Sequence, residues 1–368
     1  MSTHGAVGVN YFKMDKERLR IYIGNVIFLV SSITLSIACL LWIIKTPLSI
    51  MISFPESWLM GLVFIAFAGF IIMLTLSLWQ VEQKSLFYGL FQNSQVMLNL
   101  VLTLYFVVIL KWQWEGRLWG ILIPHLVFGA IGWTILLKRQ YVKFIFKKED
   151  IRDALAFGIP LFPHALGGLF LSATDRIFLN SMVGLTATGL YTVGYQIGAI
   201  VELLGRSFNS AFAPFLFSEL QKNSTTRKLK IVKLTYLCFA GIILITLLVV
   251  YLAPFILKFL VTSNFAGAEP YIKWIALAGC ANWMYYLVAN YIFFVKKTHL
   301  LAITTFFAAV FNIILNYILI KKNGPVGAAQ ATAIACVLTF ILTYSMSVCV
   351  YRMPWNLKIE KDETLRTY

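Results

Sequence analysis

Runs of about twenty apolar residues, separated by short polar breaks, recur along the whole chain. They fall at Ile21–Ile44, Trp58–Trp79, Phe87–Leu110, Leu118–Leu137, Ala154–Leu179, Ala187–Phe208, Leu234–Ile256, Ile272–Val295, Leu300–Ile320 and Val326–Tyr351. A helix rising ~1.5 Å per residue crosses a ~30 Å hydrocarbon core over such a length. A soluble fold does not tolerate ten of them, because too little polar surface would remain to face water. The pattern predicts an all-α polytopic membrane protein of about ten transmembrane helices.

The polar breaks set the organisation. Breaks on one face are short and leave no room for a folded domain. The two longest, 138–153 and 209–233, lie on the other face and are basic. The first mixes aromatic and charged residues and is expected at the membrane interface. It divides the chain into an N-terminal segment 1–20, a four-helix lobe 21–137, the linker 138–153, a six-helix lobe 154–351 and a tail 352–368. Weak repetition links the halves. Gly116-Arg117-Leu118-Trp119-Gly120 opens span four, and Gly324-Pro325-Val326-Gly327 opens span ten. Each follows a span that carries asparagine and ends in lysine. If the halves are repeats, spans three and four match nine and ten, and the first half is expected to lack two helices at its start.

Composition agrees, at 60% hydrophobic and 12% charged residues. The formal charge of +16 is explained by its placement. With both termini inside, 22 Lys and Arg fall in cytoplasmic segments, seven on the opposite face, and two, Arg176 and Arg206, inside spans. That bias is the positive-inside rule, with a secondary attraction to anionic lipid, and it gives no indication of nucleic acid. Cys39, Cys238, Cys280, Cys336 and Cys349 all sit in apolar spans without paired spacing, as packing residues do. Met1–Arg20 is polar and has no signal-peptide core.

A charge at the centre of a membrane helix costs ~2.5–3.5 kcal/mol on insertion scales, so intramembrane polar residues are the candidates for chemistry. Span five carries His164, Asp175 and Arg176; span six carries Gln196, Glu202 and Arg206; span four carries His125. Glu202 and Arg206, four residues apart, form either a structural ion pair or a cavity-lining pair that an anion or a proton can break. Asp175 and Arg176 point about 100° apart, so one can line a cavity while the other anchors at the interface. His125 and His164 each follow a proline, where a histidine can satisfy the carbonyl that proline frees or can sense protons. Pro160 and Pro163, with Gly158, Gly167 and Gly168, make span five a candidate hinge, although both residue types are common in membrane helices. Asn312 and Asn316 suit interhelical hydrogen bonding. There is no nucleotide loop, no zinc spacing and no Ser-His-Asp set, so neither an enzyme, a metal nor a cofactor is expected.

Spans five and six carry a resemblance. Phe157-Gly158-Ile159-Pro160-Leu161-Phe162-Pro163-His164, Asp175-Arg176-Ile177-Phe178-Leu179-Asn180 and Gly189-Leu190-Tyr191-Thr192-Val193-Gly194-Tyr195, with the entries to spans four and ten, are similar to the Wzx-type polysaccharide flippases. These belong to the multidrug/oligosaccharidyl-lipid/polysaccharide exporter superfamily. The resemblance implies two helical bundles around a central cavity, here four plus six, in a multi-pass protein of the bacterial cytoplasmic (inner) membrane with both termini cytoplasmic. It implies flipping of polyprenyl-pyrophosphate-linked oligosaccharide, such as undecaprenyl-linked O-antigen or capsule repeat units, by alternating access. Met1–Arg20 would then follow the family's second helix, and the cavity wall that the first two helices supply is expected to be missing.

On this reading Arg176, Arg206, Arg117 and Gln196 bind diphosphate or sugar. Asp175, Glu202 and His164 couple the cycle to H⁺ or Na⁺, drawing ~2.3 kcal/mol per charge per 100 mV. Pro160 and Pro163 act as a hinge, and the implied partners are membrane lipid, a polysaccharide polymerase and a chain-length regulator. The alternatives are a drug or peptidoglycan-precursor exporter, a polymerase or acyltransferase of the same pathway, and a truncated, inactive exporter.

Overall fold

The computed structural model describes residues 3–52, 54–222, 224–260 and 267–356. The described residues are helical nearly throughout. The helices are α1 (Thr3–Tyr11), α2 (Lys16–Ile52), α3 (Glu56–Val81), α4 (Ser85–Leu104, continued by a π-helical turn over Tyr105–Ile109), α5 (Gln113–Lys138), α6 (Lys148–Met182), α7 (Leu185–Gly198), α8 (Ile200–Gln221), α9 (Thr225–Leu260), α10 (Glu269–Phe294), α11 (His299–Asn323) and α12 (Val326–Val350). They form two compact units, residues 1–158 and 159–368, and the boundary falls within α6 just before Pro160.

Among the described residues, eight helices are long and apolar enough to cross a membrane: α2, α3, α4 with its π turn, α5, α6, α9, α11 and α12. They coincide with eight of the ten expected spans. The other two expectations lie on α7–α8 and on α10. Span six is divided at Ala199, whose backbone (φ −68°, ψ −7°) ends α7, and α8 begins at the next residue. Along α10, Tyr271, Trp274, Asn282, Trp283, Tyr285, Tyr286, Asn290 and Tyr291 lower the mean hydropathy of an otherwise apolar helix. Those larger, partly polar side chains suit its place, because most of α10 is buried inside the second unit.

In the first unit α3 packs on α5, α2 and α1, and α4 packs on α5. Lipid tails are as apolar as leucine, so close backbone approach supplies much of the attraction between membrane helices. Small residues allow it here. A Cβ on Gly129 would stand 2.9 Å from the Ala68 Cβ, and one on Gly132 would stand 2.9 Å from the Thr75 Oγ1. A cluster of Ile72, Leu76, Trp79, Phe91 and Phe128 fills the space between α3, α4 and α5. The N-terminal segment carries a helix of its own. Ala6, Val7 and Val9 put an apolar patch on α1, which is buried against α3 and α2.

Residues 139–147 form a strap over α2. The Lys143 N–H donates to the Arg20 carbonyl at 3.1 Å. The Asn25 amide donates to the Ile145 carbonyl at 2.8 Å and its oxygen accepts from the Lys147 N–H at 3.0 Å. Gly24 lies directly beneath, where a Cβ would be 2.3 Å from the Lys143 carbonyl. Arg18 clamps the buried Asp150 at the start of α6 with both guanidinium prongs. Tyr141 donates to Glu82 at 2.5 Å, and burial together with that carboxylate pushes its phenol up to about 12. Lys148–Asp153, expected in the linker, make up the first turns of α6.

In the second unit α10 is the central helix, packed on α12, α8, α7 and α9, while α11 packs on α12. Gly194, Gly198 and Gly205 on α7 and α8 meet Tyr271, Ile275 and Trp283 of α10 at distances that exclude a larger residue. At the α11–α12 turn Gly324 has φ +65°, a conformation glycine adopts without a Cβ clash. A Cβ on Gly327 would lie 2.1 Å from the Leu319 carbonyl oxygen. Overpacking of this kind costs ~1–3 kcal/mol or more. Gly327→Val is therefore expected to lower the melting temperature of the purified protein clearly, while Gly189→Ala, which has open space, leaves it unchanged.

Candidate functional site

A cavity of about 270 Å³ lies within the second unit. Its wall is built from six helices: His164 of α6, Tyr195 of α7, Glu202 and Arg206 of α8, Asn282, Tyr285 and Tyr286 of α10, Thr305 of α11, and Thr332, Cys336 and Thr339 of α12. The positions on α10 follow from helical geometry, since residues three and four apart share a face.

Glu202, Arg206 and Tyr286 form the charged part of this wall. Glu202 Oε1 accepts from Arg206 Nη2 at 2.5 Å, from Arg206 Nε at 3.0 Å and from the Tyr286 hydroxyl at 2.9 Å. Arg206 Nε also donates to the Tyr286 oxygen at 3.2 Å. The two charges differ in access: the Arg206 side chain is 68% exposed and that of Glu202 is 15% exposed. Glu202 is held from several sides, whereas the guanidinium keeps donors open to an incoming anion. The Arg176 guanidinium lies over the Tyr195 ring, 4.9 Å from its centroid, which places a second cation beside a cavity-lining aromatic.

His164 is fixed by α11. Thr305 Oγ1 lies 2.5 Å from His164 Nδ1 and 2.8 Å from the Leu301 carbonyl, so the hydroxyl bridges the imidazole and the α11 backbone. Gly167, one turn on, is pressed against Thr305, where a Cβ would stand 2.8 Å from the threonine methyl. Pro160 and Pro163 lie in the same part of α6, which continues as a helix through both.

Asp175 has another environment. It is 0% exposed and does not line the cavity. Tyr191 of α7 donates to Oδ2, Thr332 of α12 donates to Oδ2 at 2.5 Å, and Asn316 of α11 donates to Oδ1 at 2.8 Å. One carboxylate thus ties three helices to α6. Thr332 belongs both to this cluster and to the cavity wall. Asn312, a turn from Asn316, accepts from its amide at 3.1 Å.

The structure therefore brings His164, Glu202 and Arg206 to one cavity, with Arg176 behind Tyr195. Gln196 is exposed and lies outside the cavity wall. Arg117 belongs to the first unit, where it donates to Asn99 and Thr103 of α4, both at 2.9 Å. His125, also in the first unit, donates from Nδ1 to the Ile121 carbonyl at 2.8 Å. Tyr195, Asn282, Tyr286 and Thr332 escaped the sequence reading. For the α10 residues the available signal was the spacing 282, 285, 286, one helical face carrying polar and aromatic groups inside an apolar span.

A family model described as "Polysaccharide biosynthesis protein" matches residues 11–221, more than half of the chain. The chain belongs to this family. The family covers the Wzx-type flippases and relatives with the MATE-like fold. An "Uncharacterized membrane protein" of Haemophilus influenzae is 28% identical over 228 residues, which are 61% of this chain and 56% of that protein. A protein of the Lsg locus of the same species is 25% identical over 237 residues, 62% of this chain and 57% of that one. The chain thus spans little more than half the length of the curated relatives it matches. Among solved structures, the Vibrio cholerae MATE transporter VcmN superposes with a TM-score of 0.79 at 15% identity, covering 95% of this chain and 84% of that one. Its bent form gives 0.77 at 14% identity, covering 95% and 83%. At such identities the likeness shows the fold: a membrane transporter fold, all helical.

The two carboxylates respond differently to substitution. Asp175→Leu leaves three buried donors without an acceptor, at ~1–3 kcal/mol each. It is expected to lower the melting temperature and the amount of protein in the membrane, with Asp175→Asn intermediate. Glu202→Gln, at the half-open wall, is expected to change neither by a comparable amount.

Proposed function

We propose that this protein moves a lipid-linked oligosaccharide across the membrane, and that the cavity of the second unit receives part of the polar headgroup. A glycosyl diphosphate does not cross hydrocarbon unaided, because its charges and hydroxyls would lose their hydrogen bonds. The observation that carries the reading is the composition of the cavity wall: one arginine with open donors, a carboxylate beside it, and tyrosine, threonine, asparagine and histidine groups around them. Arginine offers charge and forked donors together, which suits a diphosphate. Tyrosine presents an apolar face and a polar tip, which suits a sugar ring. At about 270 Å³ the cavity is slightly smaller than the ~300–1,000 Å³ of ordinary small-molecule sites, so it fits a subsite for one part of a repeat unit.

In this account Arg206, with Arg176 over the Tyr195 ring of the same wall, engages the diphosphate. Binding of the anion loosens Arg206 from Glu202, and the released carboxylate takes up H⁺ or Na⁺. Family membership and the transporter fold support a carrier over an enzyme. The O-antigen or capsule unit, the cytoplasmic membrane with both termini inside, and association with a polymerase and a chain-length regulator belong to the same proposal. The substrate would be the polyprenyl-linked saccharide itself, with no cofactor.

A charge-assisted hydrogen bond is worth ~1.5–3 kcal/mol, or roughly 10–100-fold in affinity. Arg206→Ala and Arg176→Ala are each expected to reduce surface polysaccharide at least tenfold while protein levels stay normal. Normal polysaccharide in both variants would contradict the diphosphate assignment.

A further inference from the structure

The strap over α2 has chemistry that the transport reading does not use. Its backbone over residues 139–147 is not helical, and exposed irregular backbone does not occur in the hydrocarbon region. These residues therefore lie outside the hydrocarbon core, where the chain leaves α5 and passes over the start of α2. The strap is also fixed in conformation. Main-chain groups of Lys143, Ile145 and Lys147 are bonded to Arg20 and Asn25 of α2. That alternation turns Phe144 and Phe146 outward, 63% and 66% exposed, with Phe146 edge-on to the exposed Phe28 at 5.8 Å.

Cations flank these rings along the chain. Lys143, Lys148 and Arg152 are exposed, the last two four residues apart on one face of α6. Of the nearby acids, Asp150 is clamped by Arg18 and Glu17 is shared by Arg20 at 2.8 Å and Lys143 at 3.3 Å, while the exposed Glu149 offsets one of the cations beside it. The surface is thus an aromatic pair flanked by net positive charge and held rigidly at the membrane boundary. Those are the attributes by which peripheral segments bind anionic lipid: apolar rings enter the acyl boundary while lysine and arginine meet the phosphates.

We propose that the strap is a docking site for anionic phospholipid headgroups, with Phe144 and Phe146 inserted at the acyl boundary and Lys143, Lys148 and Arg152 on the phosphates. The full chain, purified in detergent, is equilibrated with mixed micelles containing equal phosphatidylglycerol and phosphatidylcholine, and retained lipid is measured by native mass spectrometry. The wild-type protein and a Lys321→Gln/Lys322→Gln control are expected to retain phosphatidylglycerol preferentially. Lys148→Gln/Arg152→Gln is expected to reduce that preference at least fivefold, and Phe144→Ser/Phe146→Ser to reduce total retained lipid, with unchanged melting temperatures in lipid-free detergent. If the serine pair lowers the melting temperature, Phe144→Gln/Phe146→Gln replaces it under the same criterion. Preference unchanged in the strap variants, or lost equally in the control, overturns the proposal.

Discussion

A polar side chain among membrane helices must find its partners inside the chain, because the surrounding lipid offers none. That constraint organises the second unit. Asp175 is acceptable in its helix only because Tyr191, Asn316 and Thr332 arrive from three other helices with donors aimed at it. Glu202 is acceptable because Arg206, one turn away, and Tyr286, on α10, surround it. The two carboxylates are solved differently. The first is sealed and holds helices together; the second stands at a wall whose arginine is mostly exposed. The difference separates a carboxylate sealed among four helices from one that a ligand in the cavity can reach.

The same logic explains why α10 is both the most buried helix of its unit and one that fails a simple apolarity criterion. A helix that touches five others needs little lipid-like surface. It can carry large tyrosine and tryptophan rings packed among its neighbours, and asparagine where a neighbour supplies a partner, as Asn290 finds Asn209 of α8 at 2.8 Å. Glycines on α7 and α8 let those helices approach until the Trp283 ring fills the space a Cβ would take. Packing and polar chemistry therefore share one helix, and the cavity opens where large α10 side chains face the charged turn of α8.

Much of the fold was legible in the chain. Apolar runs of membrane-spanning length are a one-dimensional signal, and eight of them reappear as helices that meet the same criterion. The division of span six at Ala199 was not legible, because the Gly198 beside it is of a residue type common in unbroken membrane helices. Nor was the burial of α1, since a nine-residue helix carries too little pattern to stand out from a loop. In the site, Glu202–Arg206 was visible as an i,i+4 pair. The roles of Asp175 and Thr332 were not, since a hydrogen-bond hub with partners 16, 141 and 157 residues distant leaves no local trace.

On the proposed function, the polar headgroup of a lipid-linked saccharide enters the cavity beside Glu202 and Arg206. The most direct measurement places a photo-crosslinking residue at Tyr286 in cells making surface polysaccharide, with Tyr251, which is 70% exposed, as the comparison position. The account predicts that Tyr286 captures a phosphate- and sugar-containing lipid while Tyr251 captures ordinary phospholipid. Equal capture of the saccharide lipid at both positions, or capture at Tyr251 alone, would contradict it.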